Sequence, residues 1–159
     1  MTWNAPTDSE ITSLLRGAKN VAIVGISNKE DRASFQVARW LQANSHFTLF
    51  FVNPVIEEVL GQKTFASLAD IPEQIDIVDV FRKASDIPSV LDEAIAIKAK
   101  TFWMQLGIKD DVSAERGVAA GLNVVQDKCI KIEHARFAGG LNLAGFNTGV
   151  ISSKRNKSI

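Results

Sequence analysis

Short apolar runs of strand length alternate with segments of helical period along most of this chain. The strand-like runs are residues 21–24, 49–52, 75–81, 101–104 and 123–125. Between them, apolar residues recur every three or four positions, as they do on the buried face of a helix. Continuously apolar strands separated by helices are typical of a parallel sheet that is covered on both faces. The sequence therefore predicts an α/β, Rossmann-like, doubly wound fold with a five-stranded, mainly parallel sheet and helices on both faces.

The length and apolar content fit one domain. The chain has 159 residues, of which 46% are hydrophobic, and this is enough to fill a single core. We therefore expect one domain over residues 1–159. A capping box formed by Thr7 and Glu10 predicts an N-terminal helix within residues 1–20. Glycines followed by a basic tail predict an irregular segment over residues 138–159.

Charge and cysteine content oppose several functional classes. Lys and Arg number 18, and Asp and Glu number 18, so the chain lacks the positive charge typical of proteins that bind nucleic acid or anionic membranes. No apolar run approaches the roughly 20 residues of a membrane span. Residues 1–10 lack the layout of a signal peptide, so we expect a cytoplasmic protein. The single cysteine, Cys129, excludes an intramolecular disulfide, and two histidines are a poor basis for a zinc site.

A doubly wound sheet binds its ligand beyond the carboxyl ends of its strands, so the loops that follow the strands are the candidates. In the first loop, Gly25 permits close approach of a ligand, and backbone amides at the start of the next helix suit a phosphate. Neither the G-x-G-x-x-G dinucleotide pattern nor the Walker phosphate-binding pattern is present. An ordinary strand-to-helix turn capped by Ser34 is the alternative interpretation of this loop.

The other loops add cations and amides at the same edge of the sheet. The second strand ends in Asn53 and Pro54, without the acidic residue that binds the ribose in NAD sites. The third is followed by Arg82 and Lys83, and arginine can donate two hydrogen bonds at once to a phosphate. A solvated pair of cations is the alternative there. The fourth is followed by Gln105, whose amide can both donate and accept hydrogen bonds.

No nucleophile stands beside a base in these loops. A spacing of three residues in a strand places Asp76 and Asp79 on opposite faces, which opposes their use as paired carboxylates. His134 lies in a segment where a histidine is more often structural or solvated than catalytic. Ser85 or Asp86 is expected to cap the helix after the third strand, and Asp110 with Asp111 is expected to begin the next helix, where the helix dipole favours acidic residues. We therefore predict no catalytic residues and no metal site.

The ordered set of loops resembles the small CoA-binding protein family, the stand-alone relatives of the CoA-binding domain of succinyl-CoA synthetase. The resemblance covers most of the chain, from about Val21 to Cys129. The matching stretches are residues 21–27, Arg32 with Ser34, and residues 52–54, 61–63, 79–82, 103–108 and 124–129.

This resemblance implies that coenzyme A or an acyl-CoA lies across the carboxyl ends of the strands. We expect the amides of residues 25–27, together with Arg32 and Arg82, to contact the phosphates. The predicted cofactor-binding residues are Gly25, Ile26, Ser27, Arg32, Ser34, Val52, Asn53, Pro54, Phe81, Arg82, Lys83 and Gln105. Glu30 and Asp31 depart from the family pattern by placing negative charge near the expected phosphates.

The resemblance does not imply ligation of an acyl group by this chain. The synthetases use a phosphorylated histidine that His134 does not match, and a nucleotide-grasp region that this sequence lacks. We therefore expect a non-catalytic sensor, carrier or regulatory protein. Two alternatives stay open: an oxidoreductase that uses NAD or NADP, and a regulatory interaction module on the same fold that binds no ligand. The sequence identifies neither a protein partner nor an oligomeric state.

Overall fold

A computed structural model describes residues 2–137, so the segment predicted to be irregular, residues 138–159, lies outside the described residues. The strands are β1 (Asn20–Val24), β2 (Thr48–Val52), β3 (Glu58–Val59), β4 (Gln62–Lys63), β5 (Ile77–Val80), β6 (Thr101–Met104) and β7 (Asn123–Val125). Five of them form one parallel sheet in the order β2-β1-β5-β6-β7. The predicted doubly wound fold is thus confirmed, with its switch in strand order between β1 and β5.

Helices cover both faces of the sheet, as predicted. They are α1 (Asp8–Gly17), α2 (Ala33–Asn44), α3 (Ile87–Ala96), α4 (Asp111–Ala119) and α5 (Ile130–Phe137). Helices α1, α2 and α5 pack on the face that buries Ile23 and Trp103, and α3 and α4 pack on the face that buries Val78 and Phe102. None of the helices between residues 2 and 137 is long and apolar enough to cross a membrane.

The N-terminal helix begins with the predicted capping box. The Glu10 N–H donates to Thr7 Oγ1 at 3.1 Å, and the Thr7 N–H donates to Glu10 Oε1 at 2.8 Å. The helix occupies only part of the predicted range, because the residues before Thr7 are not helical. The Trp3 indole N–H donates instead to the Val124 carbonyl oxygen at 2.8 Å, on edge strand β7. The N-terminal segment therefore covers that edge of the sheet.

The sequence pattern did not predict a small hairpin, formed by β3 and β4, beside the opposite edge. Its turn places Leu60 at φ 51° and Gly61 at φ 78°. The Gln62 side chain donates to the Leu49 carbonyl oxygen at 3.0 Å, and the Gln42 side chain donates to the Leu60 carbonyl oxygen at 3.1 Å. These bonds join the hairpin to β2 and α2, so the chain between β2 and β5 folds back over the sheet edge.

Candidate ligand-binding site

The loops that follow β1 and β5 touch at Gly25. This residue has φ +87°, in the region that favours glycine. A Cβ atom at this position would lie 2.5 Å from the Phe81 carbonyl oxygen and 2.8 Å from Arg82 Cδ. Both distances are too short for any side chain, so glycine is required. Because Gly25 has no side chain, the first loop can lie directly against the loop that contains Arg82. This contact is at the switch in strand order.

The hydrogen bonds of the first loop correct one expectation about its amides. The Gly25 N–H donates to the Val52 carbonyl oxygen at 3.1 Å, and the Ser27 N–H donates to Ser34 Oγ at 2.9 Å. Two of the three amides expected to meet a phosphate are therefore bonded within the protein. Ser34 is also not the helix cap, because α2 begins at Ala33 and the Ser34 hydroxyl instead fastens the loop.

The start of α2 supplies donors that the loop amides do not. Arg32 is the N-cap residue, and its side chain makes no capping hydrogen bond. The first N–H groups of a helix have no acceptor within the helix, and they attract anions. The Gln36 side chain donates to the Glu30 carbonyl oxygen at 3.2 Å, which fixes the chain just before the helix. The side chains of Glu30, Asp31 and Arg32 are all exposed there.

Asn53 joins the first two loops. Its Nδ2 donates to the Ile26 carbonyl oxygen at 2.8 Å, and its Oδ1 accepts the Val55 N–H at 2.7 Å. Both ends of the amide are thus used within the protein. Val52 is buried before it, and Pro54 is exposed after it. Asn53 therefore shapes this edge by holding two loops together.

Arg82 is paired with a carboxylate that was expected to act as a helix cap. Its Nε and Nη2 donate to Asp86 Oδ2 at 3.2 and 2.9 Å. Asp86 is the N-cap residue of α3, but its side chain makes no capping bond, so the predicted capping role is wrong. The neighbouring Lys83 is exposed, as is Arg32, so the edge carries both paired and solvated cations.

Gln105 connects the end of β6 to the last described helix. Its side chain is buried, and its Oε1 accepts the Ile130 N–H at 3.0 Å. The Gly107 N–H donates to Asp127 Oδ1 at 2.7 Å in the same region. Gln105, like Asn53, therefore holds the loops in place. The exposed apolar side chain of Leu106 lies beside it.

The two aspartates around β5 lie in different environments and do not form a pair. Asp76 precedes the strand and accepts the N–H groups of Lys19 and Asn20, each at 2.9 Å. Burial acts to raise its pKa, but these hydrogen bonds and the nearby Lys100 ammonium outweigh burial, so its pKa is lowered. Asp79 is fully buried, and neither carboxyl oxygen has a partner among the described residues. Burial raises its pKa well above the ordinary value of 3.8.

The two histidines pack among aromatic rings and lie away from the carboxyl ends of the strands; His46 comes just before the amino end of β2. His134 is buried and forms edge-to-face contacts with Trp40 and Phe47. Burial, and then the neighbouring His46, lowers the pKa of His134 below its ordinary value. The His46 Nε2 lies 2.7 Å from the Ala18 carbonyl oxygen. These contacts fit the structural role predicted for His134.

A cavity also lies outside the carboxyl edge. Its volume is about 440 Å³, and it is bounded by the N-terminal segment at Trp3, by Leu14 of α1 and by Asn123 at the start of β7. It is therefore at the amino end of an edge strand. The candidate site at the carboxyl edge is formed by the loops that follow the strands, so this cavity is separate from it.

The fold and this edge define a doubly wound α/β protein with arginines and a helix N-terminus in the loops at the carboxyl ends of its strands. Comparison with known proteins identifies the family to which this chain belongs. The family described as "CoA binding domain" matches residues 19–135. The chain belongs to this family, which confirms the resemblance seen in its loops.

Three similar proteins illustrate the family. The uncharacterized protein YneT of Bacillus subtilis (strain 168) is 37% identical over 130 residues, which cover 82% of this chain and 96% of YneT. A solved structure of a hypothetical protein from Pyrococcus horikoshii OT3 has 33% identity and a TM-score of 0.79, and covers 87% of this chain and 100% of that one. An ADP-forming acetate–CoA ligase of Archaeoglobus fulgidus, isoform II, is 28% identical over 100 residues, which are 62% of this chain but 14% of the ligase.

Proposed function

We propose that this protein binds coenzyme A or an acyl-CoA across the carboxyl edge of its sheet, as a non-catalytic sensor, carrier or regulatory protein. The observation that carries the proposal is the contact of Gly25 with Phe81 and Arg82, in a chain of the CoA binding domain family. This contact places Arg82 beside Gly25, at the start of the loop that leads to α2. CoA has a pyrophosphate and a 3′-phosphate, and both kinds of donor suit them.

Local charge supports an anionic ligand in spite of a net charge of zero. Arg32 and Lys83 are exposed at the same edge as Arg82, whereas Glu30 and Asp31 oppose them. Exposed charges are screened over roughly 8 Å at physiological salt. The affinity for CoA should therefore fall as the salt concentration rises. A plot of log affinity against log salt concentration should have a small slope, because CoA has few phosphates.

Two observations support a non-catalytic role. The titratable groups with strongly altered environments, Asp79 and His134, are enclosed in the core, where a ligand at the strand ends would not reach them. The match to the acetate–CoA ligase spans only 14% of that enzyme. We therefore assign to this chain the binding of CoA and not the ligation of an acyl group.

Titration calorimetry with CoA, acetyl-CoA, NAD and NADP tests the proposal directly. We expect heat of binding with the CoA compounds and none with NAD. Silence with both CoA compounds at millimolar concentration would refute CoA binding. Binding of NADP with an absorbance change would instead favour the oxidoreductase. Native mass spectrometry of the purified protein adds an independent result, because a bare chain that also ignores added CoA would favour a module without a ligand.

Substitution of Arg82 tests where the phosphates lie. Arg82→Ala should weaken binding of CoA more than binding of dephospho-CoA if the guanidinium meets the 3′-phosphate. Equal losses would place Arg82 at another part of the ligand. Arg116→Ala is the matched control, because Arg116 on α4 is also a half-exposed arginine paired with an aspartate, Asp92. It should leave both affinities unchanged.

A further inference from the structure

The Arg82 side chain is fixed at two points. Its stem lies against Gly25, where a Cβ atom would be 2.8 Å from Arg82 Cδ. Its head is held by Asp86 Oδ2, which accepts from Nε at 3.2 Å and from Nη2 at 2.9 Å. A half-exposed arginine is otherwise among the side chains with the most rotameric freedom. The two contacts together leave it little of that freedom.

The geometry of the guanidinium determines which N–H donors of Arg82 remain free to bind a ligand. A guanidinium has five N–H donors in one plane, and they form two forks, one from Nε and Nη2 and one from Nη1 and Nη2. Asp86 takes the first fork. Among residues 2–137, no other hydrogen bond of Arg82 is observed, so the second fork is free for a ligand. A phosphate is the group that this second fork matches best.

Asp86 has no other side-chain hydrogen bond among the described residues. It stands at the N-cap position of α3 without a capping bond. Its backbone carbonyl accepts from the Ser89 hydroxyl at 3.1 Å, and this bond does not depend on the Asp86 side chain. The carboxylate is about a quarter exposed, with 27% of its side-chain surface open to solvent. Its contact with Arg82 is thus the interaction for which an acidic residue is needed here.

We infer that Asp86 is a positioning residue that holds the guanidinium of Arg82 with its free fork presented to a phosphate of the bound CoA. This inference rests on the proposed function. An arginine ordered before the ligand arrives loses less conformational entropy on binding. The charge of Asp86 opposes the phosphate, but Asp86 bonds directly to the Nε and Nη2 atoms of Arg82, and the free fork lies on the other side of the guanidinium.

Calorimetry on two variants tests the inference. Asp86→Ala removes the acceptor and should weaken CoA binding roughly two- to tenfold, the range expected when one long side chain must be immobilised on binding. Asp86→Asn keeps a hydrogen-bond acceptor oxygen at the same distance from the backbone, so its affinity for CoA should fall much less. Asp92→Ala is the matched control, because Asp92 lies on α3, about one and a half turns beyond Asp86, and it also pairs with an arginine, Arg116. A thermal unfolding scan of each variant shows that it is folded.

A double-mutant cycle separates a positioning role from a direct one. In an Arg82→Ala background, Asp86→Ala should cause no further loss of affinity. The same loss in both backgrounds would overturn the inference, and so would tighter binding by Asp86→Ala, which would make Asp86 a competitor of the phosphate. If the natural chain binds CoA and Asp86→Ala binds it equally well, this inference alone fails. If the natural chain binds no CoA, the proposed function fails with it.

Discussion

The buried carboxyl group of Asp79 should make the stability of this protein depend on pH. Asp79 is in the central strand β5, with Ile23 and Trp103 opposite it on the two neighbouring strands. Its side chain is fully buried, and its two oxygens have no hydrogen-bond partner among residues 2–137. An ionised carboxylate is very costly in such surroundings, so burial raises its pKa well above 3.8.

The sign and size of the effect follow from proton binding. Between 3.8 and the raised pKa, the folded state keeps a proton on Asp79 that the unfolded state releases. The contribution of Asp79 to the free energy of unfolding should therefore fall as pH rises through this window, by about 1.4 kcal/mol per pH unit. Asp79→Asn has nearly the same shape and no titrating group. The free energy of unfolding of Asp79→Asn, relative to that of the natural chain, should therefore rise by about 1.4 kcal/mol for each unit of pH within the window.

Urea unfolding followed by the fluorescence of the buried Trp103 measures this difference at several pH values above 4. Asp76→Asn is the control, because Asp76 is only three residues away but has a lowered pKa. Its carboxylate stabilises the folded state above 3.8, and this contribution is lost as pH falls through its folded pKa. Asp76→Asn should therefore be less stable than the natural chain at neutral pH, whereas Asp79→Asn should gain stability relative to the natural chain as pH rises.

Two results would refute the reasoning about Asp79. If Asp79→Asn and the natural chain have parallel stability curves from pH 5 to 7, Asp79 is not protonated in the folded state. If Asp79→Asn loses stability relative to the natural chain as pH rises, the carboxylate is ionised in the folded state and its pKa is lowered. Either result would show that a hydrogen-bond or charge partner reaches the carboxyl group in solution.

Three further predictions concern other positions. Gly25→Ala should destabilise the fold by roughly 2–5 kcal/mol, since it combines a left-handed backbone with a 2.5 Å contact to the Phe81 carbonyl oxygen; urea unfolding measures this loss, and a loss below that of a surface substitution would contradict it. The lowered pKa of His134 predicts that the contribution of this side chain to stability falls as pH drops below 6.5, by about 1.4 kcal/mol per unit until its folded pKa is reached. His134→Phe should remove this slope, and an unchanged slope would assign it to another group. Thr7→Ala should cost about 1 kcal/mol through loss of the capping box, and Thr7→Ser should retain most of that stability.

The sequence predicted the sheet because its central strands are almost continuously apolar, with exceptions such as Asp79 and Thr101, and such runs are typical of a parallel sheet covered on both faces. It did not predict the β3–β4 hairpin, whose strands have two residues each and therefore show no periodicity. Its turn uses Leu60 at positive φ, which few residues other than glycine adopt and which composition does not reveal. Short elements held by tertiary contacts are thus the part of the fold that pattern alone misses.

The position of the candidate site was predictable, but the state of its side chains was not. The carboxyl ends of parallel strands share one edge, so the loops containing Gly25, Asn53, Arg82 and Gln105 had to lie together. Which polar groups remain free depends on acceptors distant in sequence. Asn53 bonds to Ile26 and Gln105 bonds to Ile130, and no local pattern indicates either contact.

The pairing of Arg82 with Asp86 had a signal in the sequence, because residues four apart with opposite charge can meet on a helical turn. The capping preference of aspartate predicted a different role for Asp86, and the structure favours the ion pair. This outcome changes what zero net charge means for the function. Asp86 compensates one of the cations at the binding edge before any ligand arrives. A larger share of the attraction for phosphate must then come from the backbone N–H groups at the start of α2, which displace no counterions. CoA affinity should accordingly depend less steeply on salt than three free cations would require.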